Sequence, residues 1–215
     1  MSKNGLLDAK VISMPSINNA VLKNIKSGGV IAYPTSTLPG LGCLPNRLSL
    51  DNLFALKRRS PSQPVSLGVA SLEQAMQYVI VPNIAKSILS DFPTGSLTLI
   101  LDAKETLDER LGGNRVAVRV LADKMALELV KLVGPITATS ANHSGVDPHH
   151  NVTLAAKQLG LSEDSIVDGN CPGGAPSTIL SIEKSTENSN KFTVSIMREG
   201  VVPSNDVETW MRNYH

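Results

Sequence analysis

The sequence predicts an α/β fold: one domain, a mixed sheet of parallel and antiparallel strands, and helices packed on it. Three observations carry this. The 215 residues are 41% hydrophobic and only 18% charged, enough for one substantial core. Short β-type runs alternate with amphipathic helical stretches through most of the chain. In the last third the strands crowd together.

Taken in order, "KVISM" is a short β-type run. In "SINNAVLKNIKSGG", Ile17, Val21, Leu22 and Ile25 share one helical face, with Ser16 as the expected N-cap and Gly28 as the stop. "GVIAY" is continuous rather than alternating, which suits a buried strand ended by Pro34. "PTSTLPGLGC" is a turn-rich loop. "SLDNLFALKRR" is a helix capped by Ser49, and "PVSLGVA" a strand. "SLEQAMQYV" and "NIAKSILSDF" are short helices, the first capped by Ser71. "GSLTLILDA" and the partly alternating "RVAVRVL" are strands. "DKMALELVKLVG" is a helix with an Asp cap and a Gly stop. "PITATS" is a strand, "ANHSGVDPHH" a loop and "VTLAAKQLG" a helix. Then "DSIVDG", "PSTILSI" and "KFTVSIMR" read as strands, with "EKSTENSNK" a polar, mobile hairpin loop. "DVETWMRN" is a last helix, over about residues 205 to 213. The whole chain, residues 1 to 215, reads as one domain.

Composition removes several function classes. Net charge is +1, so global charge does not predict nucleic-acid binding. Aromatic residues are 3%, which argues against recognition by base stacking. The two cysteines, Cys43 and Cys171, form no CxxC, and no Cys/His spacing suits zinc, so no metal site of protein side chains is expected. The N-terminus lacks an apolar core of signal-peptide length, and no apolar run approaches the roughly 20 residues that span a bilayer. The reading is a soluble, cytoplasmic, reduced protein with no membrane association. There is no GxxxxGKS/T loop, GxGxxG, HExxH or GxSxG.

Six stretches could carry chemistry. "KRRSPSQP" ends a helix on cations: Lys57 and Arg59 either complement the helix dipole or, held by Pro61 and Pro64, clamp a polyphosphate, with Arg58 pointing to solvent. "TATSANHSG" offers Ser140, Asn142 and successive N–H groups, an anion-binding nest or an ordinary turn. "YPTSTLPGLGC" brings Thr35, Ser36 and Thr37 after a buried strand. In "NRVAVRV", Arg115 and Arg119 project to one face, and each must meet a carboxylate or a ligand. "GGAPSTIL" carries Ser177 and Thr178 into a strand, and Arg198 leaves one in "IMREG". His143 could line a site, whereas His149 and His150 read as an exposed pair.

The order of "GGVIAYPTSTLPGLGC", "LKRRSPSQPVSLGV", "GSLTLIL", "VAVRV", "ITATSANHSG", "PSTIL" and "MREG" resembles the YrdC/TsaC family of threonylcarbamoyl-AMP synthases, short single-domain type, over about residues 16 to 200. The resemblance implies a twisted mixed sheet around a concave basic cavity. It implies condensation of L-threonine, bicarbonate and ATP, with Mg²⁺ accompanying ATP, to threonylcarbamoyl-AMP and pyrophosphate. A Kae1/TsaD-type transferase would then modify adenosine 37 of tRNA. By position it assigns Lys57, Arg59, Ser140 and Asn142 to catalysis and ATP, with Arg115, Pro148 and Arg198 also at the nucleotide. Thr35, Arg119, Thr139 and Ser177 fall at threonine. Such anionic substrates call for positioning and charge neutralisation rather than a nucleophile.

The chain departs from the family at Pro39-Gly40, at Ser60 and in "PVSLGV". Alternatives are therefore a non-catalytic module binding double-stranded RNA or tRNA, and a paralogue with another acyl substrate. A carbamoyl-adenylate former is a further option, although its companion modules are missing.

Overall fold

The structure is a computed structural model that describes residues 17–185 and 191–214. The expected strand "KVISM", the Ser16 cap and much of the loop after residue 185 lie outside the described residues.

Among the described residues, eight strands form one sheet in the order β1-β2-β6-β3-β5-β4-β7-β8. They are β1 (Ile31–Tyr33), β2 (Gly40–Gly42), β3 (Ser66–Val69), β4 (Leu97–Asp102), β5 (Arg115–Val120), β6 (Ile136–Ser140), β7 (Thr178–Lys184) and β8 (Phe192–Arg198). The pairs β3–β5 and β4–β7 are parallel and the other neighbours antiparallel, so the sheet is mixed as expected. The α-helices among the described residues are α1 (Asn19–Lys26), α2 (Arg47–Lys57), α3 (Leu72–Ala75), α4 (Asn83–Asp91), α5 (Lys124–Val133), α6 (Val152–Gln158) and α7 (Ser204–Asn213).

Local chemistry explains several ends. α1 starts on Asn18, whose side chain accepts from the Ala20 N–H. α2 starts on Asn46 rather than Ser49; Asn46 accepts from the Ser49 N–H, so Ser49 lies inside the first turn. The caps Ser71 and Asp123 and the stops Gly28 and Gly134 stand as read. Two readings change. "PTSTLPGLGC" contains β2, because Gly40 and Gly42 let the Tyr33 ring lie on the strand; a Cβ at Gly40 would come within 2.6 Å of Tyr33 Cζ. "DSIVDG" forms no strand: a 3₁₀ turn covers Glu163–Ser165, and only a single bridge joins Ile166 to Ala32.

The core divides by strand alternation. Leu67, Leu99, Val116, Val118 and Leu180 join α2, α4, α6 and α7 in one apolar cluster. Ile31, Tyr33, Leu121 and Ile136 join α1 and α5 in another. The second face is thus covered at the β1–β6 end and left open beside β5, β4, β7 and β8. One row of that open face runs Arg198 opposite Ile179, Ile179 opposite Thr98, and Arg119 opposite Gly68. Because Leu99 faces Val118, the same register sets Thr98 beside Arg119.

Candidate active site

The open row is the floor of a cavity of about 160 Å³. Arg59, Arg119 and Arg198 all line it, among Thr37, Ser66, Thr98, Thr139, Ser140 and Ser177. No Asp or Glu is among the lining residues. Three guanidiniums therefore face one space without an acid to balance them.

Arg119, 9% exposed, donates through Nε to the Gly95 carbonyl (2.9 Å) and through Nη2 to Thr37 Oγ1 (3.0 Å) and Ser36 Oγ (3.3 Å). Neutral acceptors fix its plane, and no carboxylate pairs with it among the described residues. Burial holds its pKa below the usual guanidinium value; Tyr33 opposes that shift and the Arg198 charge adds to it. Arg198 donates to the Ser177 carbonyl (2.8 Å) and is likewise lowered by burial. Arg59 is lowered by burial and then by Arg198. The Arg198 charge disfavours the charge of both Arg59 and Arg119, and an anion in the cavity would relieve the group.

The turn after α2 aims Arg59. Arg58 is left-handed (φ 52), the only non-glycine with positive φ among the described residues, and the Arg59 N–H closes on the Phe54 carbonyl (3.1 Å). Ser60 to Gln63 forms a tight turn closed by Gln63 N–H on the Ser60 carbonyl. Arg59 then donates to the carbonyls of Gln63 (2.6 Å) and Pro64 (3.0 Å). The Ser60 departure thus sits in the turn whose outgoing carbonyls hold Arg59. Arg58 is exposed, as read.

Of the residues singled out in the sequence, Arg59, Arg119, Arg198, Thr139, Ser140 and Ser177 come together here. Ser177 shares a hydrogen bond with Thr98 (2.8 Å). The other five residues that the resemblance assigns do not reach the lining, and neither does His143. Thr35 folds back on its own loop, donating to the Leu38 carbonyl and accepting from the Thr37 N–H, so Thr37 presents the hydroxyl instead. Arg115 lies on the same strand face as Arg119 but at the far end, paired with Asp102 (2.6 Å) and Glu183 (3.3 Å) and donating to Ser181. Pro148 sits half-buried away from the cavity in the loop after β6. Asn142 is buried with its amide committed: Oδ1 accepts from Ser140 Oγ, and Nδ2 donates to the His143 and Val146 carbonyls. Lys57 is 1% exposed, and its ammonium faces the Ser140 and Asn142 carbonyls. His143 is half-buried outside the lining, its Nδ1 without a partner.

The sequence reading passed over Thr98, Ser66 and Tyr33. Strand alternation puts Thr98 opposite in phase to the apolar Leu97 and Leu99, which is the one signal that could have found it.

The family model for Sua5, YciO and YrdC proteins, described as "Telomere recombination", matches residues 23–200. The chain belongs to this family. The threonylcarbamoyl-AMP synthase of Idiomarina loihiensis is 37% identical over 158 residues, covering 70% of this chain and 84% of that protein. The synthase of Photobacterium profundum is 32% identical over 188 residues, 84% of this chain and 97% of its own. Among solved structures, Pyrococcus abyssi Sua5 complexed with L-threonine superimposes with a TM-score of 0.76 at 29% identity. That match covers 88% of this chain but 56% of the longer Pyrococcus protein. Escherichia coli YciO shares the fold, with a TM-score of 0.69 over 87% of this chain. Among the described residues, no helix is long and apolar enough to cross a membrane, and no group of three or more His, Cys, Asp or Glu could hold a metal ion.

Proposed function

We propose that this protein is a threonylcarbamoyl-AMP synthase, joining L-threonine, bicarbonate and ATP into threonylcarbamoyl-AMP with release of pyrophosphate and water. The observation that carries the reading is the carboxylate-free cavity faced by Arg59, Arg119 and Arg198. Relatives bearing that enzyme name cover most of their own length in the match, which supports it.

Arg119, fixed in plane by Gly95, Ser36 and Thr37, takes the threonine carboxylate on its remaining nitrogen, Nη1. Thr139 and Ser177 hold the amino acid beside it. Arg59 and Arg198 take phosphate oxygens, and Ser140 adds a hydroxyl. The threonine nitrogen loses a proton and attacks carbon dioxide derived from bicarbonate. The resulting carbamate oxygen attacks the α-phosphorus, and the bond to the β,γ-phosphates breaks to release pyrophosphate. The cavity offers cations and oriented donors that neutralise charge as it shifts to the leaving group.

The lining supplies no carboxylate for Mg²⁺, so the protein side chains do not fit a resident magnesium. A magnesium ion arriving with ATP would be held by the nucleotide's own phosphate oxygens, with this chain supplying no ligand from the lining. The product is a reactive mixed anhydride, which favours prompt consumption by a transferase of the Kae1/TsaD type and modification of tRNA, with tRNA or double-stranded RNA approaching nearby. The free thiols Cys43 and Cys171 suit a cytoplasmic setting. Residues 1 to 215 are assigned to one domain with its motif-bearing part at about 16 to 200. The test is pyrophosphate release from ATP, bicarbonate and labelled threonine. Threonine-dependent release is expected; release with another amino acid only would point to the paralogue, and salt-sensitive RNA binding without any release to the module.

A further inference from the structure

We infer that Lys57 is a positioning residue, not a phosphate ligand: its ammonium is the internal fastener that holds the Ser140–Ser144 loop against the end of α2. The inference rests on reading the cavity as the ATP-dependent site.

An ammonium has three protons to donate. Lys57 Nζ points at three acceptors, all in this loop: the Ser140 carbonyl, the Asn142 carbonyl (2.7 Å) and, at 3.5 Å, Asn142 Oδ1. The backbone makes a second tie, since the Ser144 N–H donates to the Lys57 carbonyl (3.1 Å). One residue is thus bonded at both ends to a loop more than 80 positions away in the chain. The loop wraps the side chain so fully that Lys57 is among the largest completely buried side chains of the protein. Two short bonds and one long one turn the ammonium toward this loop, and Lys57 is absent from the cavity lining while Arg59, two positions on, is in it.

A buried lysine paired only with neutral acceptors is an expensive way to hold a loop. The charge that acts on it is that of Arg59, two residues on, and among the described residues no carboxylate forms an ion pair with it. Burial, then the Arg59 charge, lowers its pKa to about 8. What that cost secures is visible one bond further. Asn142 Oδ1 accepts from the hydroxyl of Ser140, a residue of the cavity lining, and the Ala141 N–H donates to the carbonyl of Pro39, another lining residue. Lys57 therefore sets the placement of Ser140 relative to Arg59, the alignment that the reacting α-phosphate needs, while Arg59 and Arg198 keep their own anchors for the phosphate oxygens.

Two measurements test this. In the intact protein, acetylation with an amine-reactive ester and peptide mapping should modify exposed lysines such as Lys23 and Lys26 and leave Lys57 unmodified, with or without ATP. Modification of Lys57 without ATP and protection by ATP would identify a cavity ligand and overturn the inference. In Lys57→Met, turnover should fall about 100-fold, the scale of a 1 Å misplacement, while affinity for inorganic pyrophosphate stays within about threefold. A tenfold or greater loss of pyrophosphate affinity with the fold intact, or unchanged turnover, would equally overturn it. Labelling and pyrophosphate binding need no synthase turnover. A protein that fails the threonine assay but keeps Lys57 shielded sinks the proposed function and not this role.

Discussion

Arg115 and Arg119 stand four residues apart on one strand and project to the same face of the sheet, yet they live in opposite circumstances. Arg115 is half-exposed and surrounded by acids and hydroxyls, Asp102, Glu183 and Ser181. Arg119 is buried and meets only a carbonyl and two hydroxyls. A surface arginine with two carboxylates is already satisfied. A buried arginine without one carries an electrostatic deficit that an anionic ligand can fill. The difference lies in what the neighbouring strands bring: β4 and β7 place acids beside Arg115, but Thr98 and Ile179 in the row of Arg119.

The contrast can be broken by experiment. The largest effect is expected from Arg119→Met. Under the proposed reaction, kcat/KM for threonine should fall by about 10³, the scale of removing one partner of a desolvated charge pair. The melting temperature should hold within a few degrees, because removing a buried charge offsets the hydrogen bonds lost with it. Steady-state kinetics beside calorimetry reads both; a collapsed fold with little kinetic defect would make Arg119 structural after all. Next is Arg59→Ala, whose guanidinium is anchored by Gln63 and Pro64 at the phosphate side. It should raise the KM for ATP about 10- to 100-fold, as expected for lost charged hydrogen bonds, and leave the KM for threonine nearly unchanged.

A smaller effect concerns pH. Lys57 has a folded pKa of about 8 and an ordinary value near 10.4 when unfolded. Between these pH values the unfolded chain binds the extra proton, so stability should rise with pH across that window and level off above it. Denaturant titrations from pH 7 to 10 should show this rise in the native protein and not in Lys57→Met. The smallest effect belongs to Arg115→Ala. Turnover should stay within about twofold and stability should drop by less than about 1 kcal/mol, as for partly exposed ion pairs. A severe kinetic loss there would return Arg115 to the nucleotide.

Much of the fold was legible because it is local. Buried "GVIAY", the Asp123 cap and the Gly134 stop each carry their signal within a few residues. The Asn46 cap was missed because Ser49 is an equally good capping residue three positions on. The site was legible as chemistry but not as geometry. The alternation in "RVAVRV" shows that two arginines share a face, yet only the pairing of β4 with β7, joined across some 80 residues, shows which end of that face is a cavity. The same limit hid Lys57. At the end of its helix it reads as a dipole partner or a phosphate clamp, and the loop that buries it arrives from more than 80 residues away.

Arg58 gives this end of α2 a particular vulnerability. Its backbone occupies a region that a branched side chain enters only with strain, while its own guanidinium is exposed to solvent. In a saturation library, position 58 should therefore sort by backbone tolerance rather than by charge. Glycine, asparagine and aspartate would survive in place of the arginine, and valine, isoleucine, threonine and proline would be lost. A position that looks like the middle letter of a cationic word is, in mutational terms, a hinge pin whose side chain is nearly free to vary.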